Sequence, residues 1–253
     1  MKAKVMFLLA CMASISLFAQ KENFEGRVVF KNTMTSDKIT QKLYPWARNG
    51  EFQSSVYLKN GNRYEENGLL DIKTLILKDG QCCVWNDLTK TGYVFNYSDY
   101  AQYLQDLQNS SSIQVVSDEV RFTGETQEVF GYTCKHYKGA LVRIVDLGIA
   151  KVEESQQRDY WVCEDLPNIN DDEDLPGMAF VFEFLAETKV PLMGSMQNYQ
   201  SGVITSISAS AVPDSFFEVP GDIDFKVSSD GYGATRKLAK EVRKYKKKHK
   251  IDK

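Results

Sequence analysis

The chain has 253 residues, a formal net charge of −3 at pH 7, 43% hydrophobic residues and 12% aromatic residues. That content can build a real core, which excludes a disordered chain, and the length suits one large all-β domain or two small ones. With only two histidines, His136 and His249, the commonest acid–base residue and metal ligand is nearly absent.

The N-terminus begins with Lys2 and Lys4, continues through an apolar stretch from Val5 to Phe18, and reaches Ala19 before the polar start Gln20-Lys21-Glu22-Asn23. This is the pattern of a secretory signal over residues 1–19, with cleavage expected after Ala19. The stretch is short for a transmembrane helix, which needs about 20 apolar residues. No other segment comes close, so the mature chain is not expected to span a membrane. Leu8-Leu9-Ala10-Cys11 resembles a bacterial lipobox, and lipidation at Cys11 would anchor the protein. Apolar residues continue past Cys11, so the plain signal is the expectation and anchoring is the alternative.

The body, residues 20–233, reads mostly as strands. Phe24, Gly26, Val28 and Phe30 alternate with mostly polar residues, the period of a half-buried strand. Ser54–Lys59 and Arg63–Asn67 flank Asn60-Gly61-Asn62, where Asn-Gly supplies the positive φ angles of a tight hairpin. The run Ile72–Leu77 ends at the turn signal Asp79-Gly80, and Cys82–Trp85 and Tyr93–Tyr97 flank a polar turn through Asp87 and Gly92. Ile113–Phe122, Tyr132–Tyr137, Ala140–Val145, Asp159–Cys163 and Val203–Ser208 complete the predicted strands. Helices are few. Tyr100, Tyr103, Leu104 and Leu107 share one helical face. Met178–Ala186 is predicted as a helix between Pro176-Gly177 and Pro191, although Phe180, Phe182 and Phe184 also alternate as in a strand. Leu238, Val242 and Tyr245 have helical spacing in the tail. The expected fold is mostly β (α+β): a curled antiparallel sheet or incomplete barrel closed by one or two helices, with a C-terminal basic helix. No Pro-rich linker divides the body. The domains are therefore a signal over 1–19, a single β-rich half-barrel domain over 20–233 and a basic helical tail over 234–253.

Charge is unevenly placed. Residues 234–253 hold ten Lys/Arg against Glu241 and Asp252, a net of +8; with the two signal lysines, this leaves the body at −13. Arg236, Lys237, Lys240, Arg243, Lys244 and Lys247 are the tail residues suited to a surface contact. The tail reads either as a solvated helix or as one that lies on anionic lipid headgroups. Its narrow apolar stripe weakens membrane burial, and export removes nucleic acid as the usual partner. Four cysteines remain in the mature chain: Cys82, Cys83, Cys134 and Cys163. Adjacent strand residues point to opposite faces, so a Cys82–Cys83 bridge is disfavoured. The four read as small buried hydrophobes; the other reading is a disulfide between Cys134 and Cys163, which lie in separate strand-like runs and could meet across a sheet.

The sequence holds no G-x-S-x-G, H-E-x-x-H, C-x-x-C or phosphate-binding glycine loop. His136 alone cannot build a dyad and reads as strand filler. Glu164, Asp165 and Asp171-Asp172-Glu173-Asp174 lack the EF-hand spacing and read as a solvated loop. No catalytic residue, metal site or cofactor is implied. A carboxylate-based hydrolase stays open as a third reading, since such a pair forms only in the fold. Aromatics crowd the predicted strands. Trp85, Tyr93, Phe95, Trp161 and Phe216 are the candidate lining of a concave apolar cavity; the alternative is that they fill the core.

Four segments carry a family resemblance. Phe24-Glu-Gly-Arg-Val-Val-Phe after the signal looks like the first strand of a family of exported bacterial proteins of unknown function. Gly131-Tyr-Thr-Cys-Lys-His-Tyr137, after Gly124-Glu-Thr126, is similar to that family's G-x-x-C-K-x-Y strand. Tyr160-Trp-Val-Cys-Glu-Asp-Leu-Pro167 resembles its W-x-x-x-D-L-P segment, and Asp214-Ser-Phe-Phe-Glu-Val-Pro220 its closing D-x-x-F-x-V-P. The resemblance covers about residues 24–220 and leaves out the tail. The family itself resembles the outer-membrane lipoprotein carriers and receptors, which implies an incomplete barrel, the periplasm or the periplasmic face of the outer membrane, and an apolar or lipidic ligand. It supplies no catalytic residue. The expectation is thus a non-enzymatic cell-envelope protein binding such a ligand, with a structural or protein-interaction module as the alternative and an anionic membrane surface as a partner for the tail.

Overall fold

A computed structural model describes residues 24–43, 49–96, 113–146, 151–169, 175–190, 194–229 and 231–251. The signal with Cys11, the helix expected around Tyr100–Leu107 and the acidic residues Asp171–Asp174 lie outside these. The strands are β1 (Gly26–Ser36), β2 (Gly50–Lys59), β3 (Asn62–Asn67), β4 (Ile72–Ile76), β5 (Gln81–Asn86), β6 (Thr91–Asn96), β7 (Ile113–Val129), β8 (Tyr132–Asp146), β9 (Lys151–Cys163), β10 (Met178–Val190), β11 (Gly194–Ser208) and β12 (Asp224–Val227). The helices are α1 (Lys38–Leu43) and α2 (Gly231–His249), with a 3-10 turn at Asp214–Phe217. No described helix is long and apolar enough to cross a membrane.

All twelve strands form one open sheet in the order β12-β6-β5-β4-β3-β2-β1-β11-β10-β9-β8-β7. Two antiparallel meanders, β1–β6 and β7–β11, meet where β11 pairs with β1. Among the described strands only β12 is parallel to its neighbour, β6. The Asn60-Gly61 hairpin forms as expected, with φ of 51° and 80°. The turn from β7 to β8 has the same signature at Phe130-Gly131, with φ of 52° and 78°. A left-handed aromatic residue is uncommon there, and no Asn-Gly pair announced that turn.

The short strands are covered on both faces. In β5, Cys82 and Val84 pack with Tyr93, Phe95, Ile72 and Ile76 beneath Ala234, Leu238 and Val242 of α2. Cys83 and Trp85 point the other way, into a cluster with Tyr64, Leu75, Ile223, Phe216 and Phe225. Two-sided burial explains why these strands read as apolar runs rather than as alternating ones.

Several elements differ from expectation. Met178–Ala186 is strand, not helix: β10 has ladders to both β9 and β11. A register shift at Ala179/Val181 turns Phe180 into a cluster with Met178, Cys134 and Cys163, while Phe184 packs near Tyr160 on another. The alternation of the phenylalanines was the true signal, and the ladder hydrogen bonds on both sides decide it. Tyr132–Tyr137 and Ala140–Val145 are one strand. Gly139 between them is a site of close approach and not a turn: a Cβ there would lie 2.8 Å from the Glu119 carbonyl oxygen and 3.0 Å from Val120. β7 runs on past Phe122 to Val129 through a register shift around Gly124, whose φ is 96°.

Candidate functional site

The strongest local asymmetry is on α2. Its buried residues Ala234, Leu238 and Val242 recur at four-residue steps and face β5 and β6. At 3.6 residues per turn, Lys240, Arg243, Lys244 and Lys247 fall on the opposite side and Lys237 and Lys248 on a flank, and all six are exposed. None of the six makes an ion pair among the described residues. Both flanks of the helix are fastened. Glu241 accepts hydrogen bonds from Tyr93 Oη at 3.3 Å and Thr91 Oγ1 at 3.4 Å on one side. Lys246 pairs with Asp71 on the other. Burial and the Glu241 carboxylate raise the Tyr93 phenol above its ordinary range. The helix therefore presents its cationic side outward in a fixed orientation. Burying Leu238 and Val242 contributes about 1.5–3 kcal/mol each to that docking.

The cationic row works against the helix itself. Arg236/Lys240, Lys240/Lys244, Arg243/Lys247 and Lys244/Lys248 are like-charged pairs four residues apart. Each such pair destabilises a helix by about 0.2–0.5 kcal/mol. An anionic surface brought against that side would relieve the repulsion. Lys248 was not among the tail residues singled out from the sequence, though it follows Lys244 by one turn.

The five aromatics proposed as a cavity lining are split among separate clusters. Trp85 is 5% exposed and packs with Tyr64 and Phe225. Phe216 stacks on Tyr57 in the same cluster, with ring centroids 4.5 Å apart. Tyr93 and Phe95 lie on the opposite face under α2. Trp161 stands apart, stacked on His136 at 4.6 Å with planes 9° from parallel. The sheet brings Trp85 and Phe216 together, and Tyr93 and Phe95 together, but not all five.

His136 has more partners than its sequence context suggested. Its Nδ1 lies 3.1 Å from Thr123 Oγ1 and 2.9 Å from Glu125 Oε2; its Nε2 lies 2.8 Å from Asp159 Oδ1. Thr123 and Glu125 arrive through the bulge in β7, which no local motif reveals. A hydroxyl, an imidazole and a carboxylate in contact have the parts of a proton relay. Here both ring nitrogens are engaged inside the protein and the ring is 7% exposed, so the group acts as a clamp from β7 across β8 to β9.

Elsewhere the long strands bury charge in pairs: Arg143 with Glu154, and Arg158 with Asp118. On β3, Arg63 pairs with Glu65, whose carboxyl burial pushes up while the guanidinium pulls it back. Cys134 and Cys163 are present as thiols in one buried cluster. Among the described residues, no group of three or more His, Cys, Asp or Glu side chains is placed to hold a metal ion. No protein-family model matches the chain, and no curated protein matches it.

Proposed function

We propose that the chain is a non-enzymatic protein of the cell envelope that works at an anionic membrane surface, which it meets through the outward side of α2. One observation carries this reading: six exposed cations stand on a helix whose apolar side is already packed against its own sheet. Such a helix adsorbs by charge and does not insert. Five of the six are lysines, compact point charges suited to a diffuse anionic surface more than to a forked, directional pair. The acidic body, −13 by sequence, is repelled by the same surface and leaves α2 as the leading face. The secretory leader and the resemblance to exported, carrier-like proteins support the compartment.

Flotation of the full chain with vesicles tests it. Co-flotation with phosphatidylglycerol-containing vesicles, absent with pure phosphatidylcholine, lost in high salt and weakened about fivefold per cation neutralised, is the expected result. Equal flotation by wild type and a Lys240→Glu/Lys244→Glu variant would overturn it. So would retention of an acidic protein without any vesicle binding.

A second reading, the apolar or lipidic ligand held by a half-barrel, has its own observation. Arg63 is 7% exposed, opposite Leu58 on β2 and Ile76 on β4, and its Nε and Nη1 have no hydrogen-bond partner among the described residues. Buried unused donors beside apolar side chains suit the acid group of a fatty ligand. Binding of a fluorescent fatty acid that disappears in a folded Arg63→Met variant supports this. No fatty-acid binding by the wild type removes it.

A further inference from the structure

β8 and β9 pair Lys135 with Val162. The next residues outward on the two strands are Cys134 and Cys163, so the cysteines stand opposite each other and point to one side of the sheet. Opposed residues in an antiparallel ladder have Cα atoms about 4.5–5.5 Å apart, within the range that a disulfide spans. Both cysteines are 0% exposed and share one apolar cluster. Cys82 and Cys83 offer no competing arrangement: they sit on opposite faces of β5, in two other clusters. We propose that Cys134 and Cys163 close a cross-strand disulfide when the chain folds under oxidising conditions.

The exchange needs an external disulfide, such as that of a dithiol oxidase or oxidised glutathione. The Cys134 thiolate attacks one sulfur of that disulfide, forming a mixed disulfide and releasing one thiolate. The Cys163 thiolate then attacks Cys134 Sγ and expels the second. The two cysteines lose two protons and two electrons, and the oxidant becomes two thiols. The attack must precede closure of the core. Burial, with the nearby Cys163 and Glu128 as smaller causes, pushes the Cys134 thiol up to about 12. Against an ordinary thiol at 9.0, that leaves roughly a thousandfold less thiolate at neutral pH. Once the core closes, the pair is therefore locked in whichever state it reached. The bond would fix the end of the β8–β9 ladder two pairs beyond the stacked His136 and Trp161, on the same face.

The experiment is refolding of the full chain from denaturant, once with a glutathione redox pair and once with excess dithiothreitol. Alkylation under denaturing conditions and peptide mapping follow each. The oxidative arm should give a species about 2 Da lighter before alkylation, with the Cys134 and Cys163 peptides linked and Cys82 and Cys83 alkylated. Folded protein from the reducing arm should react with a disulfide reagent at Cys134 at least about a hundredfold more slowly than unfolded protein. Four alkylated thiols in the oxidative arm, or a bridge to Cys82 or Cys83, would overturn the proposal. The test is made in a defined redox buffer, so it does not depend on where the protein resides or on what α2 binds.

Discussion

Every residue of β5 from Cys82 to Asn86 is buried, whereas none of β7 from Gln114 to Val129 is. The two strands belong to one sheet but serve different ends of it. β5 lies between α2 and the Trp85 cluster, so both its faces are dry. β7 is an edge, one of the two places where the sheet stops. An exposed edge invites pairing with another chain, and proteins blunt such edges with charges and bulges. β7 has both: register shifts at Val115/Ser117 and Phe122/Thr126, and Asp118, Glu119, Arg121, Glu125 and Glu128 along its length. Apolar burial on both faces thus supports the β5 end, while the β7 edge relies on its ladder to β8 and on paired charges; the long strands between them have apolar clusters of their own around Phe180 and Tyr160. The cationic helix rests on the β5 end, which gives it a rigid base.

The contrast can be broken by substitution. Trp85→Ala should destabilise the protein by about 3–5 kcal/mol, while Val116→Ala on β7, 57% exposed, should change stability by no more than about 0.5 kcal/mol. Urea denaturation of both variants checks the pair; similar midpoints would mean that the two ends are equally loaded. Arg158→Ala should cost about 3 kcal/mol, because it strands the Asp118 carboxylate, and a joint Arg158→Met/Asp118→Leu change should recover most of that loss. A double change as damaging as the single one would show that the pair does more than satisfy charge.

A smaller effect is set by pH. Burial, then the Glu164 carboxylate, push the Tyr137 phenol up to about 12. The folded state therefore prefers the neutral phenol. That contribution is complete below the unfolded value near 10 and is lost as pH rises through about 12. Stability measured at stepped pH should fall across this window, and Tyr137→Phe should flatten the slope. The smallest expected effect is a gain. Phe130→Asn places Asn-Gly at the left-handed turn between β7 and β8 and should stabilise by under about 1 kcal/mol, read as a small rise in thermal midpoint.

The same contrast explains what could be read from the residues. The short strands were legible because apolar runs and an Asn-Gly turn are local signals. β8 looked like two strands because Gly139 mimics a turn, although Glu119 and Val120 of the neighbouring strand impose it. β10 looked helical because Pro176-Gly177 and Pro191 bracket Met178–Ala186, although Phe180, Phe182 and Phe184 alternate with the period of the strand it is. The four-residue β12 gave no pattern at all. On α2, the stripe of Leu238 and Val242 was visible, but not that a sheet would occupy it. The clamp on His136 was hidden because its partners come from 11 to 23 residues away, through a bulge and a neighbouring strand.

Hydrogen exchange of the protein on anionic vesicles tests the central claim most directly. If α2 binds through charge alone, its amides and those of β5 and β6 keep the protection they have in free protein, and binding disappears as salt is raised. If Leu238 and Val242 instead leave the sheet to enter the bilayer, β5 and β6 lose protection on binding and salt has little effect. That second result would contradict the account.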